Sequence, residues 1–263
     1  MIGIASSKSG PDIPAGDLLL RQAFEQAGHT AQQVVWSDHR VDWRAFDFVV
    51  IRSCWDYHLR PAEFLWWLGG LAVPVVNVPS LIRWNLNKRY LLALEQRGIT
   101  IAATVWLEVG EKCEIGARKV VVKPLISASA YQTQVMSEGV AQGPAMVQEF
   151  VEEVATDGEW SLMYFGAEFS HAVLKKPAAG DFRVQQEYGG TAVAMAPPEV
   201  ALRFGAHVIA AAPSTPALAR VDMVLTARGP LLMELELIEP ELFLPADGVA
   251  AALAAQAILR SVY

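Results

Sequence analysis

The chain is poor in cysteine: Cys54 and Cys113 are its only two, far apart in 263 residues, so neither a disulfide framework nor a cysteine zinc site is expected. It also lacks basic clusters. With a formal net charge of −7 it offers no field for capturing a phosphate backbone, which argues against nucleic acid as a partner. Long apolar runs are missing as well. The stretch FLWWLGGLAVPVV is broken by Gly69, Gly70 and Pro74, and MIGIASSKSG has no basic region followed by an apolar one, so the expectation is a soluble, cytoplasmic protein with no membrane partner. No Walker P-loop, Rossmann fingerprint, internal repeat or low-complexity tract occurs. What the chain does have is apolar bulk, 53% of its residues, enough core for one large domain or two modest ones.

The first third alternates apolar strands with amphipathic helices. Ile2 and Ile4 open a strand, DLLLRQAFEQAG reads as a helix stopped by Gly28, and QQVVW and FDFVVIRS read as further strands. Pro61 suits the first turn of a helix, and VPVVNVP follows as a strand. This alternation predicts an α/β domain with a parallel sheet. Ser80 is the expected cap of one helix running through NLNKRYLLALEQRG to Gly98. From about residue 100 the pattern becomes α+β, with strands at TIAATVWLEV, KVVVKPL and AMVQEFV, two hairpins, and helices at EVALRFGAHVIAAA and GVAAALAAQAILRSVY. A boundary near residue 83 divides the two textures.

The second hairpin carries the most chemistry. ARVDMVL runs up, Ala227-Arg228-Gly229 reads as a three-residue loop, and PLLMELEL runs back. That register sets Asp222 opposite Glu234 and Arg220 opposite Glu236, all on one face, with Val221, Met223, Leu235 and Leu237 on the other. Two carboxylates about 5 Å apart repel by roughly 3 kcal/mol at an effective dielectric of about 20. One offset is Arg220 paired with Glu236, the other two acids staying wet. The other is a hard divalent cation such as Mg²⁺, which takes carboxylates together with substrate phosphates. Glu239 and Glu241, beyond the strand, read as ordinary loop acids.

Cations stand where a phosphate would need them. Lys123 ends a valine run, followed by the small residues Ser127, Ala128, Ser129 and Ala130, whose backbone can approach a polyphosphate closely; the alternative is a lysine reaching out to water. Lys88 reads equally as a solvated helix charge. Lys175, Lys176 and Arg183 gather around a Gly-Gly bend, either as a charged strand end or as stabilisers of a transferring phosphoryl group.

This ordered series, Lys88, Lys123 before a small-residue loop, VQEFV, GEWSL, DFRVQQEYGG, RVD and ELE, resembles the ATP-grasp superfamily over nearly the whole chain. RSCWDYHLRPAEFLWWL and RWNLNKRYLLALEQRG are similar to the branch of cycloserine-forming and prokaryotic glutathione synthetase-like ligases, which commonly has Thr at the position of Cys54. Gln185 and Glu236 stand where the wider family usually has asparagine.

The resemblance implies a pre-ATP-grasp-like domain over 1–83 on the acceptor side and an ATP-grasp domain over 84–263, with a lid at about 105–147 and a catalytic subdomain at about 148–263. It implies Lys88 and Lys123 on the α- and β-phosphates, with Ser127, Ala128 and Ser129 closing over them. It implies Glu149, Phe150 and Val151 around the adenine, Glu159 on the ribose, and one or two Mg²⁺ ions on Asp222, Glu234 and Glu236. Lys175 and Arg183 would act on the moving γ-phosphoryl. Arg52, Trp55, Asp56 and Tyr57, at the C-terminal end of a parallel strand, are placed to grip the acceptor, or else are a packed Trp and a capping Asp. The implied reaction is ADP-forming ligation of a small-molecule carboxylate to an amine-type nucleophile through an acylphosphate. A small-molecule kinase and a non-catalytic nucleotide-binding module are the rivals. A homo-oligomer is left open, with the Trp-rich first domain as its face.

Overall fold

The computed structural model describes residues 1–7, 13–178, 183–184 and 188–263. Its first layer is a parallel sheet in the order β2-β1-β3-β4, formed by β1 (Ile2–Ser6), β2 (Ala31–Val35), β3 (Phe48–Ile51) and β4 (Val75–Val76). The connecting helices are α1 (Ala15–Gln26) and α2 (Pro61–Gly70), the latter with its proline in the first turn as expected. Gly28, at φ +86°, supplies the left-handed backbone that turns the chain out of α1.

The helix predicted to run from Ser80 to Gly98 is instead two helices, α3 (Pro79–Asn85) and α4 (Tyr90–Glu95). Ser80 does not cap: Pro79 lies in the first turn and no side chain closes that end. The break between the helices holds Lys88, whose backbone N–H donates to the Leu125 carbonyl at 2.8 Å. An uninterrupted helix would have aimed that side chain elsewhere.

A second sheet, antiparallel in the order β5-β10-β7-β8, is built from β5 (Thr104–Leu107), β7 (Val120–Pro124), β8 (Gln134–Met136) and β10 (Ala145–Glu149). Beside it β6 (Lys112–Ile115) and β9 (Gly139–Gln142) pair with each other, and Leu107, Ile115, Ala141 and Val147 form a small apolar cluster of their own.

The third sheet is the centre of the molecule. After the short helix α5 (Glu153–Thr156) come β11 (Glu159–Phe165), β12 (Glu168–Lys176), β13 (Thr191–Ala194), α6 (Glu199–Ala210), β14 (Leu218–Thr226), β15 (Gly229–Glu236) and α7 (Val249–Val262). The strand order is β13-β12-β11-β14-β15, with every pairing antiparallel. One face carries Leu162, Tyr164, Val221, Met223, Leu232 and Leu235 into a core shared with α4 and α6. Gly205 of α6 lies so close that an added Cβ would sit 2.4 Å from the Tyr164 hydroxyl oxygen. On the other face Met163, Phe165, Val173 and Leu218 pack with Ile2, Ile4, Phe24 and Phe48 of the first layer and with Ala254 and Ile258 of α7.

Among the described residues the outer edge of β15 pairs with no further named strand; it makes one isolated bridge with Ile101, where the Leu232 N–H donates to the Thr100 carbonyl at 2.9 Å. Asn85 donates from Nδ2 to the Leu235 carbonyl at 2.8 Å and accepts at Oδ1 from the Leu237 N–H at 2.9 Å, while the Tyr90 hydroxyl accepts from the Leu235 N–H at 3.0 Å. Side chains of the broken helix thus do what a sixth strand would.

Candidate active site

Beyond the packing of Met163 and Val173, that second face of the central sheet opens into a cleft of about 590 Å³, bounded across from it by residues of the β5-β10-β7-β8 sheet. Its floor is the predicted acid face. Asp222 pairs with Glu234 and Arg220 with Glu236, as the hairpin register requires. The route to that register differs from the expected one. The hairpin turn has two residues, Ala227 and Arg228, with Thr226 opposite Gly229, and the extra residue lies further along: Leu232 faces Met223, Glu234 faces Asp222, and Met233 is skipped. This bulge places Met233 and Glu234 together on the cleft wall.

Asp222, Glu234 and Glu236 each offer a carboxylate oxygen within 4.8 Å of the others. Arg220 does bond Glu236, at 2.6 Å, but it also grips Asp222, at 2.8 Å from Nη2. The remaining acids are not simply wet. Lys175, 7% exposed, bridges Glu159 at 2.6 Å and Asp222 at 3.3 Å; Lys88 holds Glu234 at 2.5 Å; and the Ser161 hydroxyl donates to Asp222.

Burial raises the Asp222 carboxyl, but Arg220 and Lys175 outweigh it and hold the group well below the usual carboxylate range. Burial likewise opposes the charge on Glu234, and Lys88 overcomes it. Glu236 is different: burial, reinforced by Glu234 and Asp222, outweighs Arg220 and pushes it up to about 7. Lys175 keeps its proton because Asp222 and Glu159 outweigh its burial. Three hard oxygen donors within 4.8 Å of one another, already compensated by Lys88, Lys175 and Arg220, suit Mg²⁺.

The predicted phosphate and base residues line the same cleft. Lys123 donates to Gln148 Oε1 at 3.1 Å, and burial, with Lys88 nearby, lowers its pKa. Ser127, Ala128 and Ser129 form one wall, with Ser129 and Ala130 in left-handed backbone at φ 49° and 54°. Glu149, Phe150 and Val151 line the cleft where β10 leaves the lid. Glu149 is held by Arg228 at 2.6 Å, and Lys119 lies 3.5 Å over the Phe150 ring. Val151 joins Ala102, Val154, Val184, Val224 and Leu231 in an apolar floor against which Met233 packs. Arg183 lines the cleft with its guanidinium 3.6 Å over the Tyr188 ring. Gln185 lies outside the described residues.

The acceptor set is divided. Trp55 lines the cleft. Arg52 is 3% exposed and bonds Asp17 at 3.0 Å and the Pro240 carbonyl at 2.7 Å; the Ser53 hydroxyl also donates to Asp17. Asp56 accepts from Trp36 Nε1 at 2.8 Å and pairs with Arg60. Tyr57 packs on Phe64 and lines a separate cavity of about 30 Å³. Two acids read as bystanders, Glu239 and Glu241, are cleft residues. Their signal was available: Ile238 and Pro240 flank Glu239, and an acid between two buried residues at the end of a site strand has one direction left to point.

Residues 2–77 match the family described as the N-terminal domain of D-cycloserine synthetase DcsG. The cycloserine biosynthesis protein DcsG of Streptomyces lavendulae is 29% identical over 259 residues, covering 85% of this chain and 86% of that protein. The crystal structure of D-cycloserine synthetase DcsG superposes with a TM-score of 0.86 at 26% identity, covering 100% of this chain and 99% of that one. A D-alanine–D-alanine ligase from Bacillus anthracis shares the fold, with a TM-score of 0.71 at 13% identity over 99% of this chain and 96% of its own.

Proposed function

We propose that the chain, which is related to D-cycloserine synthetase DcsG, is a carboxylate–amine ligase of the ATP-grasp superfamily that activates a small-molecule carboxylate with ATP and joins it to an amine-type nucleophile, releasing ADP and phosphate. The relationship favours the intramolecular, ring-closing form of the reaction. The convergence of Asp222, Glu234 and Glu236 in one cleft with Lys88, Lys123 and Lys175 carries this reading.

The acceptor carboxylate oxygen bonds to the γ-phosphorus as the bond to the β-phosphate oxygen breaks. The amine nitrogen then adds to the acyl carbon, phosphate leaves, and the nitrogen's proton passes to solvent. Asp222, Glu234 and Glu236 are the residues that would hold one or two Mg²⁺ ions, whose charge would offset that of the β- and γ-phosphates. Lys88, now on Glu234, transfers to the nucleotide phosphates with Lys123, which frees Glu234 to ligate. Ser127, Ala128 and Ser129 exclude water above them. Glu149, Phe150 and Val151 border the base and Glu159 the ribose. Lys175 and Arg183 stabilise the phosphoryl group in flight. Residues 1–83 supply the acceptor side and 84–263 the nucleotide side. Trp55 meets the acceptor directly, while Arg52, Asp56 and Tyr57 act by holding the loop that presents it.

Isotope-labelled ATP and a screen of amino and hydroxy acids test this. The expected products are ADP and phosphate, hydroxylamine converts the intermediate to a hydroxamate, and Glu234→Gln slows turnover about 100-fold, the scale of losing one transition-state electrostatic contact. AMP as product, or undiminished turnover in the variant, would sink the reading. A stable phosphoester without hydroxamate would favour the kinase.

A further inference from the structure

The loop that follows β7 has a backbone that few residues adopt unaided. Ser129, Ala130 and Gln132 all lie in the left-handed region, at φ 49°, 54° and 53°, and none of them is glycine. Two successive turns build it: the Tyr131 N–H donates to the Ala128 carbonyl at 2.9 Å, and the Thr133 N–H to the Ala130 carbonyl at 3.0 Å. Ser129 and Ala130 are the central pair of the first turn, and positive φ at both positions is a geometry that glycine, asparagine and aspartate favour. Ala130 has no polar side chain to offset the cost. Such backbone persists only where the surroundings over-determine it.

What holds the loop comes from the first layer. Upstream, Ile126 and Ala128 pack against the apolar cluster of Cys54, Tyr57 and Phe64. Downstream, the Tyr131 ring lies on His58, with centroids 5.1 Å apart and planes at 58°, and its hydroxyl accepts from Gln132 Nε2 at 3.2 Å. His58 is in turn fixed by the short turn Tyr57–Leu59, where the Leu59 N–H donates to the Asp56 carbonyl at 3.0 Å and the Arg60 N–H to the Tyr57 carbonyl at 3.2 Å. Burial lowers the His58 pKa, so the ring meets Tyr131 as a neutral imidazole. His58 does not line the cleft, whereas Ser127, Ala128, Ser129, Ala130 and Thr133 do. Among the described residues the N–H groups of Ser129 and Ala130 donate to no other group, which leaves two adjacent donors for a ligand.

We infer that His58 is a positioning residue of the nucleotide site: through Tyr131 it holds residues 127–133 in the left-handed form that receives the phosphates. A loop shaped beforehand spares the binding step the cost of ordering it. The inference rests on the ligase reading for the ligand, and its test separates the two.

Full-length protein in excess Mg²⁺ is titrated calorimetrically with a non-hydrolysable ATP analogue and, separately, with adenosine, which has the base and ribose but no phosphate. Tyr131→Ala and His58→Ala should each weaken the analogue about 3- to 10-fold, the scale of one aromatic pair, and leave adenosine unchanged. The double variant should bind no more weakly than the weaker single one, because both remove the same contact. Tyr131→Phe and His58→Phe keep a ring and should recover the wild-type affinity. Tyr131 is 41% exposed, so its variants carry the test even where His58→Ala lowers the urea midpoint. Equal losses for analogue and adenosine, additive losses, or undiminished binding by Tyr131→Ala would overturn the role of His58 and leave the ligase reading standing. A wild type that binds the analogue no better than adenosine, or neither probe at millimolar concentration, would overturn both.

Discussion

Glu234 stands opposite Asp222 because Met233 is skipped by the pairing of β15 with β14. The bulge gives the strand two consecutive cleft-facing side chains, one apolar and one anionic, where a regular strand would give one. Met233 belongs to the apolar floor beside Val151, and Glu234 to the acid set. Met233→Ala should therefore weaken ATP binding by about tenfold, from roughly 1–2 kcal/mol of lost apolar burial, and leave Mg²⁺ affinity in the absence of nucleotide unchanged. Calorimetric titration of each ligand separately would decide it.

Lys88 holds a Glu234 carboxylate oxygen, and on the proposed reading a metal would compete for it. Removing the ammonium with Lys88→Met should tighten Mg²⁺ binding to the nucleotide-free protein by about tenfold and weaken ATP binding by about 10- to 100-fold. Opposite signs from one substitution are the diagnostic. If both affinities fall together, Lys88 is a structural partner of Glu234 and no more.

Arg52 and Asp17 form a buried pair with side chains 4% and 1% exposed. Arg52→Met strands the aspartate and should cost about 3–5 kcal/mol of stability, read as a fall in the urea midpoint. A direct substrate contact would instead raise KM with the midpoint unmoved.

Asn85 supplies the hydrogen bonds that a neighbouring strand would give the edge of β15. Asn85→Leu leaves the Leu235 carbonyl and Leu237 N–H unmatched, at about 1–3 kcal/mol each, and should loosen the strand that carries Glu234 and Glu236. Hydrogen exchange at Leu237 should rise by at least about tenfold relative to the centre of β14. Unchanged protection would remove Asn85 from this role.

Alternation along β14 and β15 made the acid face legible from sequence, because residue spacing and pairing offset determine it. The cause of the offset was not legible: a three-residue turn and a two-residue turn plus a bulge give Asp222 the same partner. Lys88 was singled out in the sequence and lines the cleft, but the single helix expected to carry it is broken there, since the break is stabilised by a bond to Leu125, 37 positions later, which no local pattern encodes. The same limit hid the fate of Arg52. Its charge at the end of a strand suggested a ligand, while the acid that neutralises it lies 35 residues earlier, inside α1. Glu239 was read as a loop acid because Pro240 ends the strand pattern beside it, although it follows the site strand directly and lines the cleft.

The apolar layer between the central sheet and the first sheet contains residues from the first strand, the middle strands and the last helix together. Such a layer joins the first sheet to the central sheet through one continuous core, whereas the β5-β10-β7-β8 sheet and the β6-β9 pair share a small apolar cluster of their own. On the proposed reading, acceptor wall and acid floor would move as one piece, and any opening for nucleotide would fall to the smaller sheet.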